Sequence, residues 1–168
     1  RAAGSDGTQG QTEPVTVQRG GGNIQVLDGG SNVIATATLG ASALVTLNGT
    51  GADDLFIVNV TNGDIGANIA VNGLGQAAGD TLSVVGDGAG NDSATYTPHA
   101  TVNGNGVVSV EIGGVPLGTI TFTGLEPVDM SGMATATSTL PNANDVLVVD
   151  GGFDDATGLI PALIGSGM

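Results

Sequence analysis

From Pro14 onward, apolar and polar side chains alternate in short runs along this chain. Val15 and Val17 in "PVTVQ", then Ile24 and Val26 in "NIQVL", stand two apart, with Gly20, Gly21 and Gly22 between the runs. A period of two sends successive side chains to opposite faces of a strand, so each run predicts a half-buried β-strand and the pair predicts a hairpin. The pattern continues in "NVIATATLG", "SALVTLNG", "DDLFIVNV", "ANIAVNG", "DTLSVVG", "SATYTP", "VVSVEIGG" and "LGTITFTG". Nearly every run is bounded by Gly, Asn or Asp, the residues that turns demand. No window longer than about ten residues carries the apolar period of a helix. The chain is expected to be all-β.

A short frame recurs. "LNGTG" at 47–51, "VNGLG" at 71–75 and "VNGNG" at 102–106 share aliphatic-Asn-Gly-x-Gly, at spacings of 24 and then 31 residues. Asp-x-Leu follows the first two copies, at Asp53 to Leu55 and at Asp80 to Leu82. A unit of this size predicts solenoid rungs or structurally repeated hairpins. Two architectures compete: an irregular β-solenoid or stacked β-sheet, and one or more antiparallel β-sandwich modules. Uneven spacing counts against a strict solenoid, and the scarcity of large aromatics against an immunoglobulin-like core. Residues 1–13 read as a flexible arm or linker and 14–130 as the main β domain. Residues 131–168 read as a linker or edge strand, followed by the start of a second module or a subunit-contact tail.

Composition narrows the class. The 168 residues suffice for one ordinary domain or two small ones. With no Trp, one Tyr and three Phe, the core must be built from Ala, Val, Ile and Leu, which suits thin β-layers. Sixteen acids face two arginines, Arg1 and Arg19, for a formal net charge of -14. Nearly all of the acids are Asp, which favours turns, rather than Glu, which favours helices. So acidic a surface repels a phosphate backbone and an anionic bilayer, so nucleic acid is not expected as a partner. No run approaches the length of a membrane span, so no membrane insertion is expected either. The chain starts at Arg1, as a processed or excerpted chain would. Acidity, absent cysteine and Thr/Asn/Gly richness together fit an extracellular or cell-surface bacterial protein.

Candidate chemistry lies in the acidic turns. "GTGADDL" (Gly49 to Leu55) and "GAGNDSA" (Gly88 to Ala94) fit, from their first glycine, a turn of the form Gly-Gly-x-Gly-x-Asp-x-aliphatic-x. "AAGDTL" and "NANDVL" are fragments of the same form. Asp carboxylates and turn carbonyls supply the hard oxygens that calcium prefers. The candidate ligands are Asp53, Asp54, Asp80, Asp87 and Asp92, with calcium as the ion. In this respect the chain resembles the RTX, or haemolysin-type, β-roll repeats of secreted bacterial proteins. "GTGADDL" also resembles the turns of calcium-dependent ice-binding adhesin repeats. Those families run the unit in tandem because adjacent turns share each ion, whereas the two matches here start 39 residues apart, at Gly49 and Gly88. The other reading is an aspartate that caps its own turn backbone. More widely, "GADDLFIVN", "AGDTLSVVG", "TITFTGLEPVDMSG" and "NDVLVVDGG" resemble the repetitive segments of very large bacterial surface proteins and adhesins. That resemblance implies an extracellular, β-rich, repeat-built structural role with no catalytic residues.

An enzyme is not expected. His99 is the only histidine and no cysteine exists, so nucleophilic dyads have almost no material. The acid pairs Asp53/Asp54 and Asp154/Asp155 lack the aromatic or basic groups that hold sugars. Threonines recur at i and i+2 in "TAT" (36–38), "TITFT" (119–123) and "TATST" (135–139), which places hydroxyls and methyls on one strand face. The expected function is a structural subunit or repeat of an extracellular bacterial fibre or giant surface protein, self-associating with neighbouring copies by strand addition. "EPVTVQ" (13–18) is the expected donor strand. The alternative is a calcium-dependent adhesin or ice-binding repeat module, with the cell surface or extracellular matrix as partner.

Overall fold

The computed structural model describes residues 13–40, 44–74, 79–125 and 128–140. The alternating runs form twelve strands, with no helix among the described residues. They are β1 (Val15–Gly20), β2 (Asn23–Leu27), β3 (Val33–Thr38), β4 (Leu44–Asn48), β5 (Leu55–Asn59), β6 (Asn68–Asn72), β7 (Thr81–Val85), β8 (Asp92–Pro98), β9 (Gly106–Ile112), β10 (Val115–Thr123), β11 (Val128–Ser131) and β12 (Thr135–Ser138). Two six-stranded mixed sheets result, neither closed into a barrel. Sheet A has the order β11-β7-β5-β1-β2-β3, and sheet B the order β12-β8-β9-β10-β6-β4.

The architecture combines features of both expected ones. Strands β1, β5, β7 and β11 run parallel in sheet A, and β4, β6 and β10 run parallel in sheet B, as in a solenoid. Antiparallel hairpins, β1-β2-β3 and β8-β9-β10, are built into the same sheets. The β9–β10 connection is two glycines, Gly113 (φ 60°) and Gly114 (φ 77°). Both sit in the left-handed region that a two-residue hairpin turn requires, which explains the "IGGV" sequence. The chain crosses from B to A at β4→β5, β6→β7 and β10→β11, and from A to B at β3→β4, β5→β6, β7→β8 and β11→β12.

The inward faces of both sheets join in one core, with Ile24, Phe56, Ile69, Leu82 and Leu125 its largest fully buried apolar side chains. Burying each stabilises the fold by about 1.5–3 kcal/mol. Tyr96 and Phe122 pack with ring centroids 5.9 Å apart. Phe56 pairs with Leu82 across β5 and β7, so both point inward while Leu55 faces out beside Thr81.

Three expectations are corrected here. The Asp-x-Leu frame matches Asp53 with Asp80, but the strand register puts Asp54 next to Asp80, one residue on. Because a one-residue slip exchanges the faces of a strand, only the observed register buries both Phe56 and Leu82. The third Asn-Gly copy, Val102–Gly106, lies mostly in the β8–β9 connection, and the position matching Asn48-Gly49 and Asn72-Gly73 is held by Thr123-Gly124. The expected donor strand is an interior strand of its own sheet: Thr16 pairs with Leu27 on one side and Ile57 on the other, and Val15 and Val17 are buried. Of the region assigned to a second module or tail, residues 131–140 are described and include β12, an edge of sheet B. Residues 141–168 and 1–12 lie outside the described residues.

Candidate functional site

The aspartates collect at the corners where the chain changes sheet. At the β4→β5 corner, Asp54 is buried and its Oδ2 accepts a hydrogen bond from the Thr50 N–H at 2.6 Å. The Thr50 hydroxyl reaches the same carboxylate at 3.2 and 3.3 Å. The Asp54 N–H donates to Oδ1 of Asp80 at 2.9 Å, and the Thr81 N–H donates to the Asp54 carbonyl at 2.8 Å. At the β7→β8 corner, Oδ2 of buried Asp92 accepts the Asp87 N–H at 3.0 Å. Each carboxylate therefore satisfies backbone donors that the corner would otherwise leave unpaired within the chain.

One plan is used three times. A glycine opens the corner and an aspartate closes it: Gly49 with Asp54, Gly73 with Asp80, Gly86 with Asp92. A Cβ on those glycines would stand 2.6, 2.5 and 2.9 Å from Oδ2 of the matching aspartate. Glycine is needed because the carboxylate occupies the space of a side chain. A glycine followed five to seven residues later by Asp and then a strand was the readable signal, and the Asn-Gly-x-Gly frame obscured it.

The other candidates differ. Asp53 is exposed, with its carboxylate against Gly79, and Asp87 is exposed, its Oδ1 accepting the Ala89 N–H at 2.7 Å. The fold thus brings Asp53, Asp54 and Asp80 to one pair of corners and leaves Asp87 and Asp92 at another. It adds a residue that the sequence reading missed: Glu13, whose Oε2 accepts the Leu55 N–H at 3.1 Å. Burial raises the Glu13 carboxyl above its ordinary range, opposed by the Leu55 N–H and assisted by the charge of Asp54. Asp80 is 1% exposed, and its Oδ2 has no hydrogen-bond partner; the same holds for Oδ1 of Asp92. Burial is the largest cause raising the Asp80 carboxyl, with the charges of Asp54 and Asp53 adding to it against the Asp54 N–H.

Calcium needs six to eight oxygens. Both oxygens of Asp54 are engaged by Thr50, and one of Asp80 by the Asp54 N–H. Among the described residues, no group of three or more His, Asp or Glu side chains is placed to hold a metal ion. Of these buried corner carboxylates, Asp80 and Asp92 each keep one oxygen without a hydrogen-bond partner among the described residues.

A neutral column runs beside the acids. Asn72 Nδ2 donates to Asn48 Oδ1 at 2.8 Å, and the Thr123 hydroxyl donates to Asn72 Oδ1 at 3.1 Å. The backbone follows, with Gly49 N–H to the Asn72 carbonyl at 2.7 Å and Gly73 N–H to the Thr123 carbonyl at 2.8 Å.

Sheet B also carries an ordered outer face. Thr119, Ser109, Thr95 and Thr137 stand side by side across β10, β9, β8 and β12. Thr121, Val107 and Thr97 form a second row, which Ala70 and Thr46 extend across β6 and β4. Strand spacing sets the hydroxyls of neighbouring strands about 4.8 Å apart. Glu111 is the one charged side chain of this face among the described residues. Sheet A differs, presenting Leu55, Ile57, Gln18, Gln25 and Asp129 outward. His99 takes no part in either face: its Nδ1 accepts the Thr101 and Val102 N–H groups, both at 3.2 Å, and caps the β8–β9 connection. A depression of about 390 Å³ beside Asp64, Asn68 and Leu117 opens to solvent, and Asp64 there caps the Gly66 N–H at 2.6 Å.

Comparison with protein-family models, with curated proteins and with solved structures returned no match.

Proposed function

We propose that this chain is a structural module of an extracellular bacterial fibre or giant surface protein, one of several like units set end to end. The observation that carries the reading is the in-register parallel stacking of successive crossovers, Asn48 on Asn72 and Asp54 on Asp80, in a body that grows by adding strands along one axis. The buried acids serve as backbone caps, with both oxygens of Asp54 and one each of Asp80 and Asp92 engaged by the chain itself. Electron microscopy of surface material, with antibody to this chain, tests the reading. Label along extended fibres or a continuous surface layer supports it; label confined to the cell interior or to small discrete particles overturns it.

A second reading, an adhesin or ice-binding module, is favoured by one observation, the Thr/Ser rows on sheet B. Uncharged, evenly spaced hydroxyls and methyls suit a flat, periodic, hydrogen-bonding surface, and the described face has no aromatic groups on which to stack sugars. Retention of the chain by ice or by a hydroxylated surface, lost in Thr121→Lys with melting unchanged, would establish this reading; no retention of the wild type would remove it.

A further inference from the structure

We infer that copies of this chain join head to tail through the edges of both sheets at once, with β3 and β4 of one copy laid parallel on β11 and β12 of the next. The inference rests on the reading of the chain as a structural module, and it names the joint.

Strand polarity is the first support. In sheet A, β11, β7, β5 and β1 are parallel, and β3 returns to that direction through the antiparallel β2. In sheet B, β4, β6 and β10 are parallel, and β8 and β12 regain that direction through β9. The two edge strands of each sheet therefore point the same way. At one end β3 leads into β4, at the other β11 leads into β12, and both links cross from A to B. A copy shifted along the stacking axis meets its neighbour with both sheets in parallel pairing.

Among the described residues the edge strands themselves are also unguarded. Natural sheets blunt their edges with Lys, Pro or inward charges, because an open row of N–H and C=O groups recruits further strands. Here "VIATAT", "LVTLN", "VDMS" and "TATS" contain no Lys, Arg or Pro. Their one charge, Asp129, accepts a hydrogen bond from Ser83 at 3.1 Å within its own sheet. Leu44 is 56% exposed and Val33 48%, an apolar cost that a neighbouring strand would relieve. Repulsion between chains of net charge -14 opposes the joint, so salt favours it.

Two blocked variants test this. Thr135→Lys/Thr137→Lys guards the β12 end, and Thr36→Lys/Leu44→Lys guards the β3/β4 end. All four positions are exposed, and Thr137→Lys alone serves if a double variant fails to fold. The wild type at rising concentration and moderate salt is expected to form rods, with a rise of about 29 Å per copy from six strands spaced about 4.8 Å. Each variant alone is expected to stay monomeric in sedimentation, and an equimolar mixture to form dimers and nothing longer. Rods that form equally from both variants, or a mixture that yields no dimer although the wild type assembles, would overturn the joint while leaving the structural role standing. A wild type that assembles only after removal of residues 141–168 would overturn it in favour of a self-covered edge. Absence of the chain from surface fibres, by contrast, strikes the functional reading.

Discussion

The Asn48–Asn72–Thr123 column and the Asp54–Asp80 pair stand at the same corners and solve the same packing problem unequally. An amide or hydroxyl is both donor and acceptor, so each member of the first column satisfies the next. A carboxylate only accepts, so the acids depend on donors from the corner backbone. Asp54 finds them in Thr50, whereas Asp80 has a donor for one oxygen only. The difference shows that stacking alone does not satisfy a polar column: Asp54 is satisfied within its own turn, whereas Asp80 keeps one orphaned oxygen.

The largest expected effect breaks the corner outright. Gly73→Ala would place a methyl 2.5 Å from Asp80 Oδ2 and against the Gly124 carbonyl, and is expected to cost about 3 kcal/mol in urea denaturation. An unchanged midpoint would show that the corner opens freely. Asp54→Asn turns an amide group toward the Thr50 donors and should cost about 2 kcal/mol, a loss that Thr50→Val in the same background would no longer deepen. Asn72→Ala cuts the neutral column at its centre and should cost about 1 kcal/mol; a loss equal to that of Asp54→Asn would erase the distinction between the columns.

The smallest effect has the opposite sign. Asp80→Asn keeps an acceptor for the Asp54 N–H and replaces the orphaned oxygen of a buried charge with a neutral amide group. Its melting temperature at neutral pH should rise by about 2–4 °C. The pH dependence follows the same logic. Glu13 and Asp80 hold protons more tightly when folded than at their ordinary values of 4.5 and 3.8, so the folded state binds more protons than the unfolded state just above that range. Stability should therefore rise as pH falls from 7 through their folded-state values, with the gain complete below 4.5 and 3.8. Asp28, held low by its hydrogen bonds with Asn32, acts the other way and loses its contribution at still lower pH. Melting curves from pH 7 down to pH 4 check this, and the increment should shrink in Asp80→Asn.

Alternation disclosed most of the strands because they have one buried face, as Val15/Val17, Phe56/Val58 and Leu82/Val84 show, whereas β3, β11 and β12 hold no fully buried residue. Topology was hidden for a physical reason. Parallel and antiparallel pairings bury the same alternating faces, so "VVSVEIGG" and "LGTITFTG" read alike whether they form rungs or the hairpin β9–β10. The site was half hidden too. Asp54 and Asp80 stood out as turn acids, but only register separates the buried Asp54 from the exposed Asp53, and only the fold brings Glu13 to Leu55 from 42 positions away.

The central claim is that these buried aspartates cap the corners of a structural module rather than bind an ion. Melting the wild type and Asp80→Asn in millimolar calcium and in chelator, at matched ionic strength, tests it directly. A native-state ligand must raise the melting temperature. The account predicts the same melting temperature with and without calcium in both proteins; a calcium-dependent rise of several degrees in the wild type, lost in Asp80→Asn, would contradict it.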